Sequence, residues 1–271
     1  MKNICWCTTV AVIGNFLLSN GQDSALESVL MGARLLYVQN NTLCYMQVGE
    51  WQKKELFSPC NDGNTVRWAA TGKSVLAATS SSVTVIEVST KQILYAKSGL
   101  SINYNSSADP AADISYDGNT IFFVQGNNIK AIDIRNDAVS TIYTTNSVNQ
   151  IAEGELCVSQ NGKRFVGRKS NAYAVFIDIA FNTSGVEGKF TEECSPAISP
   201  SGTILAVNQD GHQNIETFTW LLDQSAPAVW RLINSSGKGM WDDHTWSNHE
   251  YYYVGNGDGS DCKIINVQTQ A

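Results

Sequence analysis

The sequence predicts an all-β fold: a six-bladed β-propeller of four-stranded antiparallel blades. Three observations lead there. A strand–turn–strand pattern recurs six times along 271 residues. The copies are spaced by about 40–47 residues, the length of a four-stranded blade. Gly, Asn, Ser and Thr punctuate runs of Val, Ile, Tyr and Trp, as expected of strands joined by tight turns.

The six copies are Val29–Val38, Trp68–Ala78, Ile114–Val124, Val158–Gly167, Ile198–Val207 and Trp246–Gly255. Five place a glycine at the turn: Gly32, Gly72, Gly118, Gly162 and Gly202. A tight hairpin needs positive φ there, which glycine reaches without steric cost. The sixth copy has His249 and Glu250 instead. Each copy leads to a third strand: Thr42–Val48, Val83–Val88, Ile129–Ile134, Ala174–Ile179, Ile215–Leu221 and Cys262–Val267. Fourth strands follow in five copies: Lys54–Phe57, Gln92–Ala96, Ser140–Thr144, Glu187–Phe190 and Ala228–Ile233. Alternation along such strands sends one set of side chains between stacked blades.

The turn Ile198-Ser199-Pro200-Ser201-Gly202 is similar to the Ser-Pro-Asp-Gly signature of TolB-like, PD40-type (WD40-like) repeats. Ile114–Gly118 and Val158–Gly162 are looser versions, and the resemblance spans about residues 24–267. It implies the propeller fold and leaves function open, because propellers host unrelated activities.

The N-terminus admits two readings. Lys2, the uncharged run Ile4–Leu18 and Ser19-Asn20-Gly21 resemble a secretory signal peptide, which would leave residues 22–271 as the propeller domain. Alternatively, Cys5–Ile13 is a strand that closes the ring by supplying the missing fourth strand of the last blade. The signal reading implies a secreted or periplasmic protein. The run is too short and polar for a stable membrane span.

Composition narrows the function classes. At 43% hydrophobic and 16% charged, the chain can bury a core. A net charge of −7 with no Lys/Arg-rich run argues against nucleic acid as a partner. Seven cysteines include no Cys-x-x-Cys pair, so neither a zinc knuckle nor a thioredoxin-like site is supported. Buried apolar roles account for them. No Gly-x-Ser-x-Gly elbow occurs, and no cofactor is expected. Four Asn-x-Ser/Thr sequons begin at Asn40, Asn105, Asn182 and Asn234, which matter only in a glycosylating host.

Three polar loops of blades five and six supply the candidate site. They carry Asp210 and His212; Trp241, Asp242, Asp243 and His244; and Asp258. Aromatic faces beside carboxylates suit a sugar, whose C–H faces stack while its hydroxyls find acceptors. Turn geometry alone also accounts for Asp-Gly and Asn-Gly pairs. Oligogalacturonate lyases, propellers of related repeat type, use His ligands for a metal. Here His244 and His249 bracket an extended stretch and lie about 16 Å apart, too far to share an ion, whereas His212, His244 and Asp242 or Asp258 could cluster. No metal site is assigned. Asn256–Asp261 resembles a calcium loop but lacks the closing Glu, so it reads as a hairpin turn. The expected function is a binding module facing a glycan or protein partner. The alternative is a metal-assisted polysaccharide lyase or hydrolase.

Overall fold

The computed structural model describes residues 11–13, 34–47, 50, 52–61, 63–104, 109–152, 155–170, 173–191, 194–209, 214–234, 241–257 and 262–268. They form antiparallel sheets that follow chain order. The first sheet holds β1 (Ala11–Ile13), β2 (Arg34–Gln39), β3 (Thr42–Gln47) and β4 (Lys53–Phe57). The second holds β5 (Thr65–Trp68), β6 (Ser74–Ala78), β7 (Ser82–Glu87) and β8 (Ile93–Ser98). The third holds β9 (Ala112–Ile114), β10 (Thr120–Gln125), β11 (Asn128–Asp133) and β12 (Ala138–Thr144). The fourth holds β13 (Cys157–Val158), β14 (Arg164–Ser170), β15 (Tyr173–Asp178) and β16 (Val186–Thr191). The fifth holds β17 (Cys194–Ile198), β18 (Ile204–Gln209), β19 (Asn214–Thr219) and β20 (Ala228–Asn234). The sixth holds β21 (Trp241–Trp246), β22 (Tyr252–Gly257) and β23 (Cys262–Asn266).

The molecule is therefore an all-β propeller. Each innermost strand lies beside the next, from β1 through β5, β9, β13 and β17 to β21, and β21 lies beside β1. The sequence predicts six four-stranded blades; five sheets are four-stranded, and the sixth has three strands among the described residues. The first blade also differs. Its innermost strand is β1, which pairs Ala11 with Leu36 and Ile13 with Arg34. The segment 11–13 thus joins β2 and not the outer edge of the sixth blade, where the closing-strand reading puts it. Val29, the predicted start of the first copy, lies outside the described residues.

Burial follows position in the blade. Every residue of β6 is buried, because it is packed on both faces between neighbouring blades. The outermost strands β8 and β12 alternate half-buried and exposed positions or are mostly exposed. Aromatic pairs seal the gaps between blades. Phe122 of blade three meets Phe165 of blade four edge-on at 5.5 Å, and Phe176 of blade four meets Trp220 of blade five at 5.3 Å. Truncating such a ring to Ala costs about 3–5 kcal/mol.

The turn between strands one and two explains the repeated motif. In blade three the Ser115 hydroxyl accepts the Thr120 N–H (2.9 Å) and donates to Asp117 (2.7 Å), which also accepts the Asn119 N–H (3.0 Å). Blade four repeats this with Ser159, Asn161, Lys163 and Arg164. In blade five the Ser199 hydroxyl accepts the Ile204 N–H (3.1 Å). The glycine has a second duty beyond φ. A Cβ on Gly118 (φ +80°) would stand 2.5 Å from Ser74 Oγ of the preceding blade.

A buried arginine locks blade four to blade five. Arg164 pairs through Nε with Asp178 (2.8 Å), donates to the carbonyls of Gly202, Trp220 and Leu221, and lies over the Trp220 ring at 4.3 Å. Such a charge is tolerated inside because its donors are met.

Candidate functional site

The predicted site residues divide. Asp210, His212 and Asp258 lie outside the described residues. Trp241, Asp242, Asp243 and His244 lie in β21, an innermost strand, and not in the inter-blade loop that the sequence suggested. Trp241 pairs with Gly257 and Asp242 with Asn256, with a bulge before Thr245. The β18–β19 hairpin turns beyond Gln209, which pairs with Asn214. The start of β21 and the ends of β18 and β22 therefore share one end of the ring. His249 sits in the turn of the sixth sheet, where its Nδ1 accepts the Tyr251 N–H (3.3 Å) and its ring meets Tyr252 at 4.8 Å. Among the described residues no three His, Cys, Asp or Glu side chains gather to hold a metal. No helix among them is long and apolar enough to cross a membrane.

A concavity lies at the other end, where the turns between strands one and two ring the channel mouth. A cavity of about 90 Å³ there draws its walls from blades two to five and from the sixth sheet. The indoles of Trp68 and Trp246 line it, with Tyr116, Gln160, Ser247 and Asn248 nearer the turns. Tyr116 is 44% exposed. Backbone bonds between turns shape the rim: Thr71 N–H donates to Tyr116 O (3.2 Å) and Gln160 N–H to Pro200 O (2.7 Å). The Asn248 amide reaches Ala70 O at 3.5 Å.

The cavity also touches a charged cluster that the sequence reading missed. Arg67, Asp113 and Cys157 are all buried. They occupy one repeat position, directly before Trp68, Ile114 and Val158; the same position holds Ala197 and Thr245 in the next two blades. That aligned column was the available signal, because Arg and Asp are rare on a strand packed on both faces. Asp113 accepts the N–H groups of Ile114 and Val158, each at 2.8 Å, and so stitches blade three to blade four. Burial raises its pKa to about 6, opposed by the Arg67 charge and the two backbone bonds. Burial works against the Arg67 charge too, but Cys157, Asp113, Asp109 and Glu155 together hold its pKa above the ordinary value. The Cys157 thiol is pushed up to about 12, chiefly by burial, and is therefore protonated and a poor nucleophile at neutral pH. Arg67 Nη1 donates to Val66 O (3.2 Å), while its buried Nε meets no hydrogen-bond partner among the described residues. Glu155 pairs with Arg168 at 3.0 Å, and burial raises its pKa.

No protein-family model matches the chain, and no curated protein is similar to it in sequence. Solved structures are. The β-propeller domain of Cps50 (Swd1) from Myceliophteria thermophila superposes with a TM-score of 0.60 at 12% identity, covering 97% of this chain and 96% of that one. Hydrazine synthase from Kuenenia stuttgartiensis superposes with a TM-score of 0.55 at 12% identity, covering 98% and 96%. The chain shares their fold. At this identity the likeness is one of architecture and carries no activity.

Proposed function

We propose that the chain is a propeller binding module that receives a segment of a protein partner at the channel mouth. The observation that carries this reading is the make-up of the mouth. An exposed tyrosine, two indoles and two amides from several blades surround one small cavity, and aromatic residues with adaptable amides are what contact surfaces favour. The sixth sheet is read as a blade of the same ring, and the serine-centred turns of blades three to five support the TolB-like assignment.

The test is photo-crosslinking. A benzophenone amino acid at Tyr116 should trap a partner, whereas the same residue at the exposed Tyr104, near the other end, should not. With the trapped partner purified, Tyr116→Ala should weaken binding by about 1–2 kcal/mol. Crosslinks from position 104 alone would overturn the reading.

A second reading keeps the glycan. Its support is that β21 and β22 pair Trp241 with Gly257 and Asp242 with Asn256, so the start of β21 and the end of β22 lie together at one end. Export from the cytoplasm belongs with it and rests on the apolar run 4–18 alone. A glycan array separates the two: a hit lost in Trp241→Ala favours the sugar.

A further inference from the structure

A cluster of cations gathers on the surface of blades one and two. A groove of about 1050 Å³ runs beside their outer strands and the neighbouring turns. Arg34, Lys53, Lys54, Lys73 and Lys91 line it. Against these five cations stand two carboxylates, Glu55 and Glu87. The groove is thus positive in a chain whose net charge is −7.

The cations are not all committed within the fold. Lys53 pairs with Glu55 at 2.8 Å and Lys54 with Glu50 at 2.5 Å, while Arg34 donates to Gly72 O at 3.2 Å. Lys73, in the turn between β5 and β6, and Lys91, in the turn between β7 and β8, are exposed. Neither ammonium makes a hydrogen bond or ion pair with a described residue. Arg34 and Lys54 flank the Tyr45 ring at 5.8 and 5.6 Å, which gives the cationic wall an apolar centre.

We propose that this groove between blades one and two docks an acidic peptide segment of a partner protein. Charge complementarity sets the sign of the partner. The two carboxylates set its class. A nucleic acid or polyphosphate carries closely spaced charges along its whole length and would meet Glu55 and Glu87. A peptide can place a neutral residue opposite each and an apolar one against Tyr45. The proposal concerns a surface separate from the channel mouth, so each can fail without the other.

The experiment is fluorescence anisotropy of the full-length protein with a fluorescein-labelled peptide of alternating Glu and Ala. Binding should be measurable at low salt and weaken as NaCl is raised. Lys73→Glu with Lys91→Glu should weaken it at least about tenfold, and Lys163→Glu, an exposed lysine on blade four, should leave it unchanged. Circular dichroism checks the fold of the double variant. Should that variant misfold, Lys73→Gln with Lys91→Gln gives the same comparison with a smaller loss. Absence of peptide binding, an unaltered double variant, or tighter binding of polyphosphate or single-stranded DNA would each overturn the proposal.

Discussion

Asp113 shows how a single side chain in the channel wall couples proton binding to the fold. Its carboxylate accepts two backbone N–H groups from adjacent blades and faces Arg67 from a third. Those contacts favour the anion, yet burial outweighs them and lifts the pKa from 3.8 to about 6. The folded protein therefore holds this proton more tightly than the unfolded chain does. The resulting stabilisation is complete below pH 3.8 and is lost as pH rises through about 6. Two pKa units correspond to about 3 kcal/mol. Urea unfolding of wild type and Asp113→Asn between pH 4 and pH 7 reads this directly. Wild type should lose up to about that much stability relative to the variant on going from the acidic to the neutral end. A difference that stays flat with pH would show that Asp113 keeps an ordinary pKa. This cluster was hard to see in sequence because Arg67, Asp113 and Cys157 lie far apart in the chain and share only a repeat position. The turn motif was legible for the opposite reason. Ser115, Asp117 and Gly118 are neighbours in sequence, and their hydrogen bonds are local.

At the scale of the strand, the second to fourth strands of most blades could be read from alternation and turn glycines, because both signals sit within one hairpin. The first strand of a blade is harder. It is short, buried and joined to the preceding blade by a linker of no fixed pattern. In the first blade the long segment 14–33 separates β1 from β2, so a run of apolar residues near the N-terminus suits a signal peptide as well as a strand. Trp241 shows the same difficulty: the Gly-rich approach to it resembles a loop, but the residue opens β21. Deleting residues 1–21 distinguishes the two roles of the N-terminus. If β1 completes the first blade, deletion leaves Leu35 and Leu36 with an unpaired strand edge, and Leu36 is fully buried in the intact protein. The shortened protein should unfold at lower urea concentration and self-associate in sedimentation velocity. A shortened protein that is monomeric and as stable as the full chain would favour the signal reading and argue against β1 as a blade strand.

The ring as a whole must resist opening between its last and earlier blades, and the sixth sheet departs from the repeat at this point. Where other blades have glycine, it has His249 and Glu250, and the glutamate reaches back into the turn of blade five. Glu250 accepts hydrogen bonds from Ser199 Oγ (2.8 Å), Ser201 N (3.0 Å), Ser201 Oγ (2.5 Å) and Thr203 Oγ1 (2.9 Å). One carboxylate thus replaces the glycine wedge used elsewhere, tying a three-stranded sheet to a complete blade by charge-assisted bonds. Beside it, Asn248 reaches the turn of blade two, so the same loop touches blades on either side of the ring's start. Glu250→Ala removes the acceptor of the buried Ser199 O–H, which keeps only the bond it accepts from Ile204 N–H, a cost of about 1–3 kcal/mol. A ring also shares a local loss with its neighbours, as stacked repeats do. Hydrogen exchange of Glu250→Ala should therefore accelerate in β18 and β22 together and leave β10 and β11 near their wild-type rates. Acceleration confined to residues 247–252 would mean that Glu250 fixes only its own turn, and uniform acceleration through blade three would mean that the ring opens as one unit.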